Sequence, residues 1–310
     1  NGTVRALTSV GTDLYVGGSF TEVGNGLSAN RIAKFDTTQN SNAGWSALGE
    51  GLNGGVLALA SIGADLYVGG SFTGVVNGIV ARRVAKFDST QHGNAAWSAL
   101  GDGVTGSAVH SMVAIGTDLY VGGQFTEAGE KTAANIAKFD STQSNNSGWS
   151  PLSSGVDGFG VRALTAVGTD LYVGGGFSNA GGVSASGIAK FDATTLTWSE
   201  LGGGVSGAAT TSSVGTMATI GTDLYVGGDF QEAGGQPAPH VAVYDTRSDD
   251  KSGWSALGDG ANNDVRAMAP IGNALYVGGQ FTEAGGKFNY FFARHEVEDH
   301  IFQDRFQQQP

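Results

Sequence analysis

Five histidines, His92, His110, His240, His295 and His300, are the chain's candidates for proton transfer or metal ligation. Two of them close a short stretch with liganding neighbours, His295-Glu296 and Asp299-His300. A second acidic cluster, Asp245, Asp249 and Asp250, has the oxygen ligands that suit calcium. It lacks the D-x-D-x-D-G spacing of a known calcium loop. Nothing else in the sequence assembles a reaction centre. There is no cysteine, no H-E-x-x-H, no nucleophile elbow with a Ser–His–Asp order, and no phosphate-cradling G-x-x-x-x-G-K-[ST]. No cofactor is expected, and calcium is the one cation these loops would suit.

Whatever chemistry the chain does must be positioned by a repeat. Leu-Tyr-Val-Gly-Gly occurs six times, beginning at Leu14, Leu66, Leu119, Leu171, Leu224 and Leu275, at spacings of 51 to 53 residues. An apolar segment precedes each copy, from Val4 to Val10 in the first, and ends on a glycine. A short segment closing on an aromatic and an acid follows, as in Ile32 to Asp36, and then a tryptophan. All five tryptophans, Trp45, Trp97, Trp149, Trp198 and Trp254, occupy that last position. Each repeat thus holds four segments, a to d, of four to seven residues. They are rich in Val, Ile, Tyr, Phe and Trp and bounded by Gly, Asn, Asp or Ser, which is a strand pattern. No repeat supplies the 3.6-residue period of a helix.

The predicted fold is all-β: a six-bladed β-propeller with four-stranded antiparallel blades, spanning 1–297, the last blade incomplete or closed by a degenerate strand. A solenoid would show a shorter period, and separate 52-residue domains would each be marginal without disulfides or metal. Side-by-side packing explains why Leu-Tyr-Val is apolar on both faces, and the glycine pair then lets a neighbouring backbone come close. Phe292-Ala293-Arg294-His295-Glu296 aligns with Ile32-Ala33-Lys34-Phe35-Asp36, but no tryptophan follows it. Residues 298–310 are expected to be a closing strand or tail, with His300 to Phe306 the candidate outer strand. Asn1-Gly2 matches the connector Asn53-Gly54, so the chain is expected to be part of a longer polypeptide.

The order apolar strand, Leu-Tyr-Val-Gly-Gly, Phe/Tyr-Asp, Trp resembles kelch-type propeller repeats. The tighter string Leu-Tyr-Val-Gly-Gly-x-Phe-Thr-x-Ala-Gly-Gly, with Ile-Ala-Lys-Phe-Asp and Trp-Ser-Ala-Leu-Gly, is similar to repeats of bacterial exoproteins and of the fungal cortical polarity-marker family. The resemblance implies an extracellular or cell-surface protein. Kelch-like propellers include adhesion modules, protein-binding scaffolds and a few enzymes, so the fold alone does not choose.

Charge narrows the choice. A net charge of −12 disfavours a general nucleic-acid binder, and no apolar run is long enough for a membrane-spanning helix. The expected function is a non-catalytic binding or structural module that takes a protein or carbohydrate ligand through the loops of one face. The alternative is a polysaccharide-acting enzyme, with His295 and Glu296 in the divergent last repeat as its centre. A monomer is expected, because a closed ring leaves no spare sheet edge.

Positions that vary between repeats locate the face. The residue after each glycine pair is Ser19, Ser71, Gln124, Gly176, Asp229 or Gln280. Beyond it lie Glu22, Glu127, Glu232 and Glu283, an acidic ring suited to a cation or a basic partner. Gln124, Asp229, Gln280 and these four glutamates are the candidate ligand-binding residues. The repeat aspartates Asp13, Asp65, Asp118, Asp170 and Asp223 are expected to cap turns. So are Asp36, Asp88, Asp140, Asp192 and Asp245. Lys34 and its equivalents are expected to snorkel at strand margins. Arg5, His110, Arg162 and Arg266, at one position of segment a, either line the channel mouth or pair with the repeat aspartates; pairing is the favoured expectation.

Overall fold

The structure, a computed structural model, describes residues 1–207 and 213–297. Gly11 takes φ 59°, the left-handed conformation that lets the chain reverse over a three-residue turn. Strand a (Val4–Val10) therefore runs antiparallel to strand b (Asp13–Gly18). Strand c (Ile32–Asp36) pairs with b, and strand d (Trp45–Ala47) with c, which sets the order a-b-c-d. Five sheets keep that order, and a sixth keeps a, b and c in Val265–Ile271, Ala274–Gly279 and Phe292–Glu296. Gly278 pairs with Phe292 as Gly17 does with Ile32, so the expected alignment of the last repeat holds. The candidate closing strand from His300 to Phe306 lies outside the described residues.

The architecture is an all-β, β-propeller-like array in which the a strand of each sheet packs on the a strand of the next. The Gly-Gly pair makes this packing close. A Cβ on Gly17 would stand 2.3 Å from Cγ1 of Val56 in the following sheet. On Gly69, Gly122, Gly174 and Gly227 it would meet Val109, Val161, Val214 and Val265 at 2.4 to 2.5 Å. The second glycine is crowded by backbone, with the Thr3 carbonyl oxygen 2.0 Å from a Cβ on Gly18. Strand d ties neighbours together as well. The indole N–H groups of Trp97, Trp149, Trp198 and Trp254 donate to the carbonyls of Leu48, Leu100, Leu152 and Leu201, each in the preceding repeat. Each of those rings also packs on the aromatic of its own strand c, as Trp149 does on Phe139 with centroids 5.0 Å apart. Phe20, Phe72, Phe125, Phe177, Phe230 and Phe281 are buried, as the inter-sheet layer requires.

Several local features differ from expectation. The b–c connections are not open loops. They fold into short hairpins, such as Glu22–Val23 with Leu27–Ser28, that bury alanines including Ala29 and Ala133. In the third sheet the a–b pair lengthens to Val104–Ile115 and Asp118–Ala128. The aspartates opening strand b are expected to cap turns, but the contacts seen for Asp13, Asp65, Asp118 and Asp170 are ion pairs with Lys34, Lys86, Lys138 and Lys190 at 2.7 to 3.4 Å. Register is the reason. Lys34 sits opposite Tyr15, on the same face as Asp13 two residues away. The c–d aspartates behave as expected, accepting from the amides of Thr38, Thr90, Thr142, Thr194 and Arg247. Side-chain hydrogen bonds from Thr38, Thr90, Thr142 and Arg247, and these amide bonds, hold the carboxyl groups of Asp36, Asp88, Asp140 and Asp245 below the ordinary aspartate value, and backbone bonds from Thr195 and Thr194 do so for Asp192.

The two ends of the array are not covered like its interior. Val56, Val109, Val161, Val214 and Val265 are fully buried, whereas their equivalent Val4 is 50% exposed. The expected meeting of the first sheet with the last is therefore not seen among the described residues.

Candidate ligand-binding site

One position per repeat faces the centre of the array. In strand a the ladder slips between Val4 and Ala6, Val56 and Ala58, and Val109 and Ser111. It slips again between Val161 and Ala163, Val214 and Thr216, and Val265 and Ala267. The skipped residues are Arg5, Leu57, His110, Arg162, Gly215 and Arg266. A bulge leaves its extra residue out of the ladder and re-aims its side chain. All six line two adjoining cavities, of about 680 and 410 Å³, that share Arg5, Phe159 and Arg162. This corrects the expectation that the arginines pair with the repeat aspartates. Four of those acids, Asp13, Asp65, Asp118 and Asp170, are already taken by lysines, and the bulge points the arginines into the cavities instead.

The site is cationic on one side and mixed on the other. Arg5 and Arg162 make no hydrogen bond or ion pair among the described residues, so their donors are open to a ligand. Phe159, 58% exposed, stands between the two cavities and offers an aromatic face. Gln124 donates to the Phe159 carbonyl at 3.0 Å, which fixes that segment. Burial pushes the His110 imidazole down from its ordinary value and the Arg162 charge adds to this, with a Gln124 hydrogen bond opposing. His110 is therefore neutral near pH 7. Across the larger cavity Arg266 donates to Gln280 at 2.9 Å and lies 3.7 Å from Asp264.

The predicted residues divide. Gln124 and Asp229 line the cavities, and Gln280 holds an arginine that does. Glu22, Glu127, Glu232 and Glu283 sit in the b–c hairpins at the same end of the sheets, outside the cavity linings. The Glu232 carboxylate accepts from Ser206. Asn1 and Asn262 cap the hairpin amides of Glu22 and Glu283. The face is thus the expected one, but its centre is arginine and the acids form its rim.

The weak metal candidates do not converge. Asp245 accepts from the backbone and guanidinium of Arg247, and Asp250 caps Ser252. Asp249 is exposed, His295 lies on the exposed last strand, and His300 is outside the described residues. The acid and imidazole groups that do come within 4.8 Å of one another are Asp229, His240 and Asp264. They suit a cation poorly. His240 Nδ1 lies 3.0 Å from the Gly228 carbonyl, to which it must donate, and Nε2 lies 3.0 Å from the Gln231 amide. Both ring nitrogens are spent, and Asp264 is left to face Arg266.

The bulge was the feature that sequence reading missed. The position was visible as variable, but a one-residue slip inside an apolar strand leaves no periodic trace.

No family model matches the chain, and no curated protein matches it. Solved structures do resemble it. One is the computationally designed Ika8 protein, 14% identical, TM-score 0.55, with 95% of this chain and 74% of that chain covered. Another is a chain of a Mitotic Checkpoint Complex, 15% identical, TM-score 0.54, with 89% and 71% covered. Likeness at these identities is one of fold.

Proposed function

We propose that the protein is a non-catalytic binding module whose six sheets are propeller blades set around the central cavity. In this reading it takes the anionic end of a carbohydrate. The observation that carries the proposal is the convergence of Arg5 and Arg162, from the first and fourth repeats, on one cavity beside an exposed phenylalanine. An arginine fork matches a carboxylate or sulfate, and an aromatic face matches the C–H face of a sugar ring. The rim of glutamates repels extended polyanions, so a terminal or short acidic sugar fits better than a long charged chain. A secreted or cell-surface setting, expected from the kelch-like repeats, is where such ligands occur.

Calorimetric titration with digalacturonate and with a neutral disaccharide tests this. Binding of the acidic sugar alone is expected. It should weaken at least about tenfold in the Arg5→Gln/Arg162→Gln variant, since a hydrogen bond to a charged group contributes about 1.5–3 kcal/mol. Equal binding of the neutral sugar, or an unaffected variant, would overturn the proposal.

A further inference from the structure

The packing between sheets is a knob-and-hole joint used five times. The knobs are the valine just before the bulge in strand a and the Leu or Met three residues on. The hole is the first glycine of the preceding Gly-Gly, walled by Tyr of strand b and the aliphatic that opens strand c. Gly122, for example, receives Val161 and Leu164. Tyr120 and Ile136, which wall that hole, are buried to 1% and 0% exposure.

Among the described residues, each end of the array carries half of this joint, unused. At the first sheet the knobs Val4 and Leu7 stand 50% and 59% exposed. At the last sheet a Cβ on Gly278 would meet nothing closer than the Phe291 carbonyl oxygen at 3.7 Å. Phe292, which takes the place of Ile136 there, is 59% exposed. The two halves are complementary to each other, and both belong to sheets whose a strands line one cavity, through Arg5 and Arg266.

We infer that these two faces are the walls of a slot for further sheet of the same repeat type, carried on the same polypeptide. Such a sheet presents a Val-x-x-Leu knob to Gly278 and a Leu-Tyr-Val-Gly-Gly hole to Val4 and Leu7, extending an interface the chain already makes. A second copy of the chain fits less well. The slot is bounded by the two ends of one curled array, and the copy would bring an array as wide as the one that bounds it. An isolated repeat of this length is also too small to hold its own fold in solution, so linkage in cis is the source that suits the chemistry.

The chain has no cysteine, so a single introduced thiol reports its surroundings without background. Leu7→Cys is placed in the full chain and maleimide labelling is timed, with Leu164→Cys as the covered equivalent. Labelling at Leu7→Cys is expected to be at least about 100-fold faster, as for an open site against one that must first unpack. The same variant is then extended by a copy of residues 89–151 or 89–200 joined after Glu296. That copy supplies a fourth strand for the sixth sheet, which shows three among the described residues, and one or two more sheets. One of the two extensions should slow labelling to the Leu164→Cys rate while the protein remains monomeric by light scattering. Protection of Leu7→Cys in the unextended monomer would mean that six sheets close unaided and would overturn the inference. Protection by dimerisation would assign the slot to a second copy. Fast labelling in both extensions would remove the slot altogether.

Discussion

Replacing Gly122 by alanine isolates the joint between sheets. The backbone there does not need the left-handed region, so the cost is steric. The new Cβ would stand 2.4 Å from Val161 Cγ1, 2.9 Å from Val161 Cβ and 3.3 Å from Leu164 Cδ1. Contact between carbon atoms is comfortable at about 3.5–4.0 Å, so the neighbouring sheet must move by about 1 Å or more. Overpacking of this kind costs about 1–3 kcal/mol. Reduced freedom of the unfolded chain returns about 0.4–1 kcal/mol. A net loss centred on about 1.3 kcal/mol follows, which lowers the unfolding midpoint by about 3–5 °C in a domain of this order of size. Gly278→Ala has the same chemistry without the neighbour, because its nearest contacts are ordinary ones at 3.7 and 4.0 Å. It should leave the midpoint unchanged or slightly raised. Scanning calorimetry of both variants and of Gly122→Ala/Val161→Ala makes the comparison. The double variant should lose less than the sum of its parts, because deleting the valine methyls gives the new Cβ room. Equal losses at Gly122 and Gly278, or strict additivity in the double variant, would refute the close-packed joint.

Two further outcomes follow from the same contacts. Trp149→Phe leaves the Leu100 carbonyl without the donor that now sits 2.8 Å away. It should destabilise by about 1–3 kcal/mol. Trp45 makes no such bond among the described residues and is only half-buried, so Trp45→Phe should cost measurably less in denaturant unfolding. Burial pushes the hydroxyls of Tyr67, Tyr120 and Tyr225 up to about 12. A folded-state value above the unfolded one of about 10 means stability intact below pH 10 and lost between about pH 10 and 12. The tyrosinate absorbance of these three residues, read as the difference from their phenylalanine variants, should therefore appear together with the loss of circular dichroism, and their ionisation near pH 10 in a still-folded protein would contradict the burial.

The strands were legible because their apolar words repeat at fixed offsets. Val4–Val10 and Ile32–Asp36 occur in the structure with the bounds expected of them. The tryptophans were also placed, in the fourth segment of each repeat, and Trp149 opens strand d there. The roles of the charged residues were not legible. Lys34 reaches Asp13 because of cross-strand register, and Arg5 reaches the cavity because of a bulge; neither is a property of sequence spacing. The acidic rim was found and the arginine centre undervalued for the same reason. Openness at Val4 and Gly278 lay beyond reach as well, because both residues obey the repeat and differ only in what lies opposite them.

The shared cavity requires six sheets to curl around it, and a distance between the ends of the array tests that most directly. Nitroxide labels at Arg5→Cys and Arg266→Cys, in a chain without other cysteines, report it by pulsed dipolar spectroscopy. Packed sheets lie about 10 Å apart, so five steps along a straight stack would separate the labels by about 50 Å. The curled array predicts a single distribution far short of that, because both positions line the same cavity. A distribution centred near the straight-stack value would contradict the shared cavity and the ligand site built on it.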